Sequence, residues 1–250
     1  MTDLKNKIAL ITGSARGIGR SIALRYASKG ANIVVNYSRD KENGDSTVRE
    51  IEALGVRALG VQANVADVGE LESMFQNALA TFGKIDIVVA NAGIETIDLP
   101  VVDVTEEQYD RLYSVNAKGA FFTMQQAAKS VADNGRIIYV GSTTADLPLP
   151  GIGLYGSSKT APRYLVRVLA LELGCRGITV NGVIPTAIDG AGIFTNLGDN
   201  PDMREFVKKN IPMGRMGTAE DVADVAEFFA GDLSSFVSGQ NLCITGGAIA

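Results

Sequence analysis

Short runs of consecutive apolar residues recur along the chain and alternate with longer segments whose apolar residues repeat every three to four positions. The short runs predict β-strands, and the longer segments predict amphipathic α-helices. The predicted strands cover residues 8–11, 33–35, 58–61, 85–90, 136–140, 179–184 and 240–244. The predicted helices run from the glycines after the first strand to residue 29, and then over 42–54, 68–82, about 106–131, 155–173 and 219–229.

The apolar residues of the predicted strands are consecutive rather than alternating, which is typical of strands covered on both faces. We therefore predict an α/β fold, a doubly wound Rossmann-type parallel sheet of about seven strands with helices on both faces. A single domain over 1–250 fits the length of 250 residues. The rhythm breaks at about 186–215, a stretch longer than an ordinary connection, which we interpret as a substrate-loop lobe.

The amino-acid composition limits the classes of protein to which this chain can belong. A hydrophobic fraction of 46% with 20% charged residues indicates a chain that buries a large core. The 23 basic and 28 acidic residues leave a net charge of −5, which argues against nucleic acid as a partner. No apolar run approaches the ~20 residues of a membrane span, and the polar N-terminus lacks the pattern of a signal peptide. We expect a cytoplasmic protein with no membrane partner.

The chain contains no histidine. This excludes Ser/His/Asp and Cys/His catalysis and removes a common ligand of catalytic zinc, so we expect no metal. Cys175 and Cys243 are far apart in the sequence and belong to no Cys-x-x-Cys motif, so we interpret them as reduced. Any catalysis must rest on other side chains.

A glycine-rich segment stands where the first predicted strand meets the first predicted helix. It contains Gly13, Ser14, Arg16, Gly17, Ile18 and Gly19. Glycine lets the backbone approach a pyrophosphate, and the start of a helix supplies N–H groups that bind it. Three glycines alone would equally fit a turn that only closes a strand–helix corner. The strand–turn–helix context favours nucleotide binding.

The spacing of these glycines, three residues and then one, resembles the phosphate loop of the short-chain dehydrogenase/reductase family. The other matching residues are Asn91, Ala92 and Gly93 after the fourth predicted strand and a catalytic set of Asn116, Ser142, Tyr155 and Lys159. The resemblance extends over nearly the whole chain. It implies that the Asn-Ala-Gly segment borders the cofactor, that Lys159 contacts the nicotinamide ribose, and that Asn116 holds a water in a proton relay.

The catalytic set also makes chemical sense on its own. Tyr155 and Lys159 are four residues apart, so they share one face of a helix. A nearby ammonium favours the phenolate, and we expect it to lower the Tyr155 pKa so that the phenol can pass a proton to a carbonyl oxygen. Ser142 would hydrogen-bond the same oxygen, a role that Thr143 or Thr144 could share. Taken singly, each residue also fits an ordinary role in packing, solvation or local hydrogen bonding.

The resemblance implies a nicotinamide cofactor, and the end of the second predicted strand bears on which one. NAD-selective proteins have an acidic residue there. This chain has Asn36, Tyr37, Ser38 and Arg39 instead, with Arg16 in the glycine loop. Two guanidinium groups and a hydroxyl suit a 2′-phosphate, so we predict NADP(H). The alternative is that both arginines are only solvated.

The remaining cofactor contacts are predicted from the resemblance. Asn64 and Val65 are expected beside the adenine, where the family commonly has an acidic residue. Pro185, Thr186 and Ile188 are expected on the nicotinamide side. The family usually has glycine in place of Thr186, which leaves the carboxamide contacts open.

Apolar residues on both sides of Tyr155 in the sequence predict a pocket for ketones with a sizeable apolar or aromatic substituent. Its expected lining is Thr144, Leu149, Leu154, Ile193 and Phe194, although some of these residues could instead pack the lobe onto the sheet. The function predicted is an NADPH-dependent carbonyl reductase that converts a ketone into a secondary alcohol.

Two other functions stay open. The alternative within enzymes is a 3-oxoacyl-thioester reductase acting on an acyl carrier protein. The alternative outside enzymes is a non-catalytic nucleotide-binding regulator. Apolar residues on the predicted helices 106–131 and 155–173, together with the resemblance, predict a homotetramer.

Overall fold

The computed structural model describes residues 2–192, 194–195 and 201–248. The first strand shows why the sheet is buried on both faces. Ala9 and Ile11 of the first strand pack with the helices on one face, and Leu10 packs with those on the other. Because successive side chains of a strand point to opposite faces, a sheet between two helical layers requires consecutive apolar residues.

Seven parallel strands form one sheet in the order β3-β2-β1-β4-β5-β6-β7. The strands are β1 Ile8–Ile11, β2 Asn32–Tyr37, β3 Ala58–Gln62, β4 Ile85–Ala90, β5 Val131–Val140, β6 Thr179–Pro185 and β7 Asn241–Ile244. The predicted doubly wound fold is confirmed. The strand order reverses between β1 and β4, and in such sheets ligands bind at the carboxyl ends of the strands beside this switch point.

Helices cover both faces of the sheet. They are α1 Gly17–Ser28, α2 Lys41–Ala53, α3 Val68–Phe82, α4 Glu106–Tyr113, α5 Ala120–Ser130, α6 Gly153–Leu173, α7 Pro201–Lys209 and α8 Ala219–Ala230. Ile22, Ile51 and Phe229 place α1, α2 and α8 on one face, and Phe75 and Met124 place α3 and α5 on the other. None of the described helices is long and apolar enough to cross a membrane.

Two of the predicted elements differ from the structure in more than one or two terminal residues. The helix predicted over about 106–131 is α4 and α5 joined by a π-helical segment, Ser114–Gly119. β5 starts at Val131, five residues earlier than predicted, and its register against β4 shifts between Ile85 and Ile87. Neither the widened helical turn nor the bulge changes the apolar periodicity strongly, so the pattern alone does not reveal them.

Candidate active site

The loop from β1 to α1 lies against the end of β4. Gly13 has a φ of 64°, and a methyl group on its Cα would lie 2.9 Å from the Cα of Ala92. A methyl group on Gly19 would lie 2.5 Å from the Asn91 side-chain nitrogen and from the Gly13 carbonyl oxygen. These two positions therefore require glycine, Gly13 for both its backbone conformation and its contact, and Gly19 for its contact alone.

Polar side chains that are buried or half-buried hold this loop in place. The Asn91 amide donates to the carbonyl oxygens of Thr12 at 2.8 Å and Gly13 at 3.1 Å. The Thr12 hydroxyl accepts from the backbone N–H groups of Asn91 and Ala92, both at 3.0 Å. From β2, the Asn36 side chain accepts from the Gly13 N–H at 3.0 Å. Three strand ends are thus joined by hydrogen bonds around the loop.

The start of α1 is suited to a phosphate. Arg16 is the N-cap residue, and no side chain caps the first turn, which contains Gly17, Ile18 and Gly19 and no acidic residue. Backbone N–H groups at an uncapped helix start bind anions, and the helix dipole favours negative charge there. The close-packed glycine loop and this uncapped helix start fit the pyrophosphate of a dinucleotide.

The residues at the end of β2 divide into buried and exposed groups. Tyr37 is buried, and its ring occupies the space beside Gly44, where a methyl group would lie 2.3 Å from a ring carbon. The Tyr37 ring therefore packs on α2. The backbone of Tyr37 is the part of this residue that remains available for a cofactor contact. Ser38 and Arg39 are exposed, as is Arg16 across from them. Hydrogen bonds from Asn43 lower the pKa of Asp40, and the nearby charge of Arg16 lowers it further, so Arg16 lies near the start of α2.

The predicted adenine contacts lie after β3. Asn64 is exposed, its backbone N–H donates to Glu70 at 2.8 Å, and its side-chain oxygen accepts from the Ala66 N–H at 3.1 Å. Val65 is buried and packs against Gly119, where a methyl group would lie 2.9 Å from a Val65 methyl carbon. Asn64 alone of the two presents its side chain at the surface.

Tyr155 and Lys159 lie in the first two turns of α6, and both are buried. The Lys159 ammonium nitrogen is 5.8 Å from the centre of the Tyr155 ring and 5.9 Å from that of Tyr139. Burial lowers the pKa of Lys159 to about 8, and Glu95 opposes that shift. Burial raises the pKa of Tyr155, the charge of Glu95 raises it further, and Ser142 lowers it.

The expected depression of the Tyr155 pKa by Lys159 is therefore absent from this structure. The reason is desolvation, because both groups are removed from water and each is pushed towards its neutral form. A phenol in this state keeps its proton at neutral pH. In this form it can donate a proton, and the raised pKa makes it a weaker acid than a phenol in water.

Asn116 is fully buried and connects the π-helical segment to the loop after β4. Its amide nitrogen donates to the Ile94 carbonyl at 2.8 Å and to the Ser158 hydroxyl at 3.1 Å. Its amide oxygen accepts from the Ile94 N–H at 2.9 Å. Asn116 thus fixes the backbone directly after Gly93. A methyl group on Gly93 would lie 2.9 Å from the Lys159 ammonium nitrogen.

Ser142 follows β5, and its hydroxyl accepts from the Thr144 hydroxyl at 2.9 Å and from the Thr144 N–H at 3.3 Å. It also interacts with the Tyr155 phenol. Thr143 is buried. Of the three hydroxyl residues, Ser142 is the one that interacts with Tyr155. Thr144 holds the Ser142 hydroxyl through its hydrogen bonds.

The nicotinamide-side residues lead from β6 into the lobe. Pro185 ends β6, and the Thr186 N–H donates to the Ile244 carbonyl at 3.1 Å. Ile188 is buried and forms an isolated parallel bridge with Gly217. Its side chain belongs to the core, so its backbone is the part left for a cofactor contact.

The described residues of the predicted substrate lining lie in different surroundings. Leu154 is buried in a small cluster with Leu112 and Tyr155, while Leu149 is 61% exposed. Phe194 packs against Ile211 and Met216 in the lobe. Ile193 lies outside the described residues. Leu154 and Phe194 pack within the protein, as the alternative interpretation of the sequence allowed, because each belongs to a local apolar cluster.

Sequence reasoning missed Glu95. This carboxylate influences the pKa of both Tyr155 and Lys159, and it reaches the lobe at Gly192. Its position two residues after the Asn-Ala-Gly segment is a signal that could have revealed it. Glu95 lies five residues after the end of β4, at a strand end that borders the site.

Comparison with known proteins agrees with this geometry. Residues 13–248 match a family model described as enoyl-(acyl carrier protein) reductase. The hydroxynaphthalene reductase-like protein Arp2 of Metarhizium brunneum is 37% identical over 262 residues, covering 98% of this chain and 96% of that protein.

Solved structures show the same fold. The promiscuous reductase LugOII, described as catalysing keto-reduction at C1 during lugdunomycin biosynthesis, is 37% identical with a TM-score of 0.92 over 100% of both chains. A short-chain dehydrogenase from Burkholderia cenocepacia J2315 in complex with NADP is 35% identical with a TM-score of 0.90 over 99% of both chains. Together with the Ser142, Tyr155 and Lys159 geometry, these similarities show that the chain is an oxidoreductase of the short-chain dehydrogenase/reductase family.

Proposed function

We propose that the protein is an NADPH-dependent carbonyl reductase that converts ketones carrying an apolar or aromatic substituent into secondary alcohols. The observation that carries this proposal is the buried Tyr155, which retains its proton and lies between Ser142 and Lys159 at the carboxyl edge of the sheet. A phenol in this state is suited to protonate a carbonyl oxygen as negative charge develops on it.

Each side chain of the site has a role in this reaction. The nicotinamide, when bound, supplies the hydride. Ser142 orients the carbonyl oxygen towards Tyr155 and stabilises its developing charge. Tyr155 donates the proton, and Lys159 replaces part of the lost solvation of the phenolate. Asn116 holds the Ile94 backbone and thereby the wall beside Gly93.

NADPH is the proposed cofactor because the end of β2 lacks an acidic side chain that would repel a 2′-phosphate. Asn36 and Tyr37 end this strand, and the Asn36 side chain is buried and hydrogen-bonded to the backbone of Gly13, Val61 and Ala63. Arg16, Ser38 and Arg39 are exposed around this corner. The related Burkholderia structure contains NADP, which supports the same choice.

The apolar character of the substrate is supported by the rim around the start of α6. Val101, Val102 and Leu149 are 71%, 91% and 61% exposed. Val101 also reaches α6, where a methyl group on Gly153 would lie 2.5 Å from one of its methyl carbons. Exposed apolar side chains beside a site favour a ligand with hydrocarbon surface. The name of the Metarhizium relative, a hydroxynaphthalene reductase-like protein, agrees with a fused aromatic ketone.

A homotetramer is proposed for the same molecule. The outer faces of α5 and α6 expose Phe121, Tyr164 and Leu171 at 45%, 68% and 86%. Near the edge strand β7, Phe236 and Leu242 are 102% and 44% exposed. Two separate apolar surfaces of this kind suit assembly through two different symmetry axes. Light scattering at micromolar concentration is expected to give four times the chain mass, and a monomer would contradict the proposal.

The function is tested by following NADPH oxidation with a panel of aryl ketones, short aliphatic ketones and 3-oxoacyl thioesters, free and on an acyl carrier protein. The proposal expects the highest kcat/KM with aryl ketones. A strong preference for the carrier-bound thioester would instead support the 3-oxoacyl-thioester reductase. The description of the matching family model also names an acyl carrier protein, but with an enoyl group as the group reduced. NADPH binding without turnover of any substrate would support a nucleotide-binding regulator.

A further inference from the structure

The catalytic pair lies in a part of α6 where the backbone hydrogen bonding of the helix is interrupted. Pro162 lies inside this helix and is buried. Proline has no backbone N–H, so position 162 cannot donate to the carbonyl of Ser158, four residues earlier, and the proline ring crowds that carbonyl. The turns that carry Tyr155 and Lys159 are therefore joined less firmly to the rest of α6. Their position must depend on contacts with neighbouring elements.

The Ser158 side chain makes one of these contacts. The residue is fully buried. Its hydroxyl donates to the Tyr155 carbonyl at 2.7 Å and accepts from the Asn116 amide at 3.1 Å. A hydroxyl carries one hydrogen, so donating and accepting together fix its orientation. Ser158 thus connects the backbone at Tyr155 to the π-helical segment that contains Asn116.

The π-helical segment is itself fixed to two other loops. The remaining amide hydrogen of Asn116 and its amide oxygen are bonded to the Ile94 backbone, in the loop after β4. At the end of the segment, a methyl group on Gly119 would lie 2.9 Å from a methyl carbon of Val65, in the loop after β3. A buried polar network whose donors are all bonded defines a single geometry. Through Asn116, Ser158 joins α6 to this fixed part of the molecule.

Two further contacts fix the first turns of α6 on another side. A methyl group on Gly156 would lie 2.5 Å from the Thr144 carbonyl oxygen, so the helix packs on the loop after β5. The Tyr139 hydroxyl donates to the Lys159 carbonyl at 3.4 Å. Both contacts are made to β5 or the loop that follows it. The contact through Ser158 adds the direction of the loop after β4, where the cofactor is proposed to bind.

We propose that Ser158 is a positioning residue for the reaction at Tyr155. By connecting Tyr155 to Asn116 it holds the first turns of α6 against the π-helical segment, and α6 needs this connection because Pro162 interrupts its backbone hydrogen bonds. This role rests on the carbonyl reductase function, in which the Tyr155 phenol donates the proton. Proton and hydride transfer require aligned groups, and a displacement of about 1 Å can lower a rate by about 10²-fold.

The test begins with Ser158→Ala, which removes the connection and leaves the phenol and the ammonium in place. The single-turnover rate of NADPH oxidation with the best ketone is expected to fall by about tenfold or more, while the KM for NADPH stays nearly unchanged. A serine that only stabilises the fold would lower the melting temperature and leave this rate unchanged. That result would overturn the proposal.

The matched control is Ser157→Ala, on the same turn of α6. The Ser157 hydroxyl donates to the Gly153 carbonyl at 2.6 Å and accepts from the Tyr113 hydroxyl at 2.9 Å, so it makes the same two kinds of contact, but to α4. Its loss should leave the single-turnover rate unchanged. Equal losses in the Ser157 and Ser158 variants would contradict a specific role for Ser158.

Ser158→Thr and Ser158→Val separate the hydroxyl from its volume, because the two side chains have nearly the same shape. The threonine variant keeps the hydroxyl and should be faster than the valine variant by about tenfold, even if the added methyl group slows both. Equal rates would show that the hydroxyl does not position the catalytic pair.

Pro162→Ala tests why the connection is needed. It restores an N–H that can bond the Ser158 carbonyl, so Ser158→Ala should cause a smaller loss of rate in the Pro162→Ala protein than in wild type. A loss of the same size in both would overturn the part assigned to Pro162.

Failure of the proposed function is seen in the wild type alone. If the wild type reduces no ketone but reduces a carrier-bound thioester, the ketone reductase function is wrong, and the Ser158 variants are compared with that thioester because its carbonyl needs the same alignment. If the wild type reduces ketones and Ser158→Ala reduces them equally fast, the positioning role is wrong and the function stands. No turnover of any substrate would overturn both.

Discussion

The cofactor side and the substrate side of the cleft are built in opposite ways. On the cofactor side, Thr12, Ser14 and Asn36 are buried polar residues, and the side chain of each is hydrogen-bonded to the backbone of a neighbouring strand or loop. On the substrate side, apolar side chains such as Val102 and Leu149 face solvent, and surface ion pairs join the loops after β5 and β6 to α6 and α7. Buried hydrogen bonds define one geometry, whereas exposed ion pairs contribute little and can rearrange.

The difference matches what the proposed function requires each side to bind. A dinucleotide is the same molecule in every turnover, so a preformed site suits it. A ketone must enter and leave, and segments that open are drawn from the less stable parts of a structure. The catalytic pair lies where the two sides meet, with Lys159 next to Gly93 on the cofactor side and Tyr155 packed with Leu154 on the substrate side.

The largest effect is expected at this junction. Lys159→Met should lower kcat by a factor of about 10² or more, as for loss of a group that supports proton transfer. The same change should raise the melting temperature of the cofactor-free protein near pH 7, because it removes a buried ammonium. The fall of the Lys159 pKa from 10.5 to about 8 corresponds to at most about 3 kcal/mol of folding free energy.

The pH dependence of the unfolding free energy tests whether burial of Lys159 is the cause of this effect. Between pH 8 and about 10 the unfolded chain holds the Lys159 proton and the folded chain releases it, so wild-type stability should rise with pH in that window. Above about pH 10 the buried Tyr155 keeps its proton in the folded state, and stability should fall. Thermal melts from pH 7 to 10 should show the rise in wild type and a smaller rise in Lys159→Met. Parallel curves would contradict burial as the cause.

On the substrate side, two leucines five residues apart should behave differently. Leu154→Ala is expected to cost about 2–5 kcal/mol of unfolding free energy, since it leaves a cavity beside Tyr155 and Leu112. Leu149→Ala should stay within about 0.5 kcal/mol because the side chain is 61% exposed. Urea unfolding measures both. Equal destabilisation would mean that Leu149 packs against something in solution, such as a second chain.

On the cofactor side, Asn91→Ala should destabilise the protein by about 1–3 kcal/mol, because the carbonyls of Thr12 and Gly13 lose their donor. NADPH affinity should fall with it, since the glycine loop loses its connection to β4. Asn64→Ala is the control, an exposed asparagine expected to change stability little. A stable Asn91→Ala protein with unchanged NADPH affinity would show that the loop does not depend on this link.

The smallest effect concerns cofactor choice. Arg16→Ala should weaken NADPH binding by about tenfold, the range of one charge-assisted contact, while NADH binding stays nearly unchanged. Fluorescence titration with both cofactors measures this ratio. Equal losses for NADPH and NADH would place Arg16 away from the 2′-phosphate.

The cofactor side and the catalytic set could be predicted from the sequence because their geometry follows local rules. A strand, a tight turn and a helix place Gly13 and Gly19, and a spacing of four places Tyr155 beside Lys159. The substrate side could not be predicted in the same way. Whether Phe194 lines a pocket or packs against Ile211 depends on contacts between distant segments, which no local pattern contains.

The direction of the Tyr155 pKa shift is a second property that could not be predicted from the sequence alone. The sequence indicates that an ammonium lies near the phenol, but it does not indicate how far both are removed from water. Burial is a property of the assembled fold, and here it is the largest cause of the raised Tyr155 pKa and of the lowered Lys159 pKa. Glu95 was missed for a related reason, because its approach to Gly192 joins residues almost a hundred positions apart.

The central claim is that Tyr155 donates the proton to a reduced ketone, and Tyr155→Phe tests it most directly. NADPH oxidation with the best aryl ketone is measured for wild type and variant, and NADPH binding is titrated for both by fluorescence. The account predicts a loss of turnover of about 10²-fold or more with NADPH affinity nearly unchanged, because only the transferable proton is removed. A variant that kept more than about a tenth of the wild-type rate would contradict the account, since the proton would then come from another group.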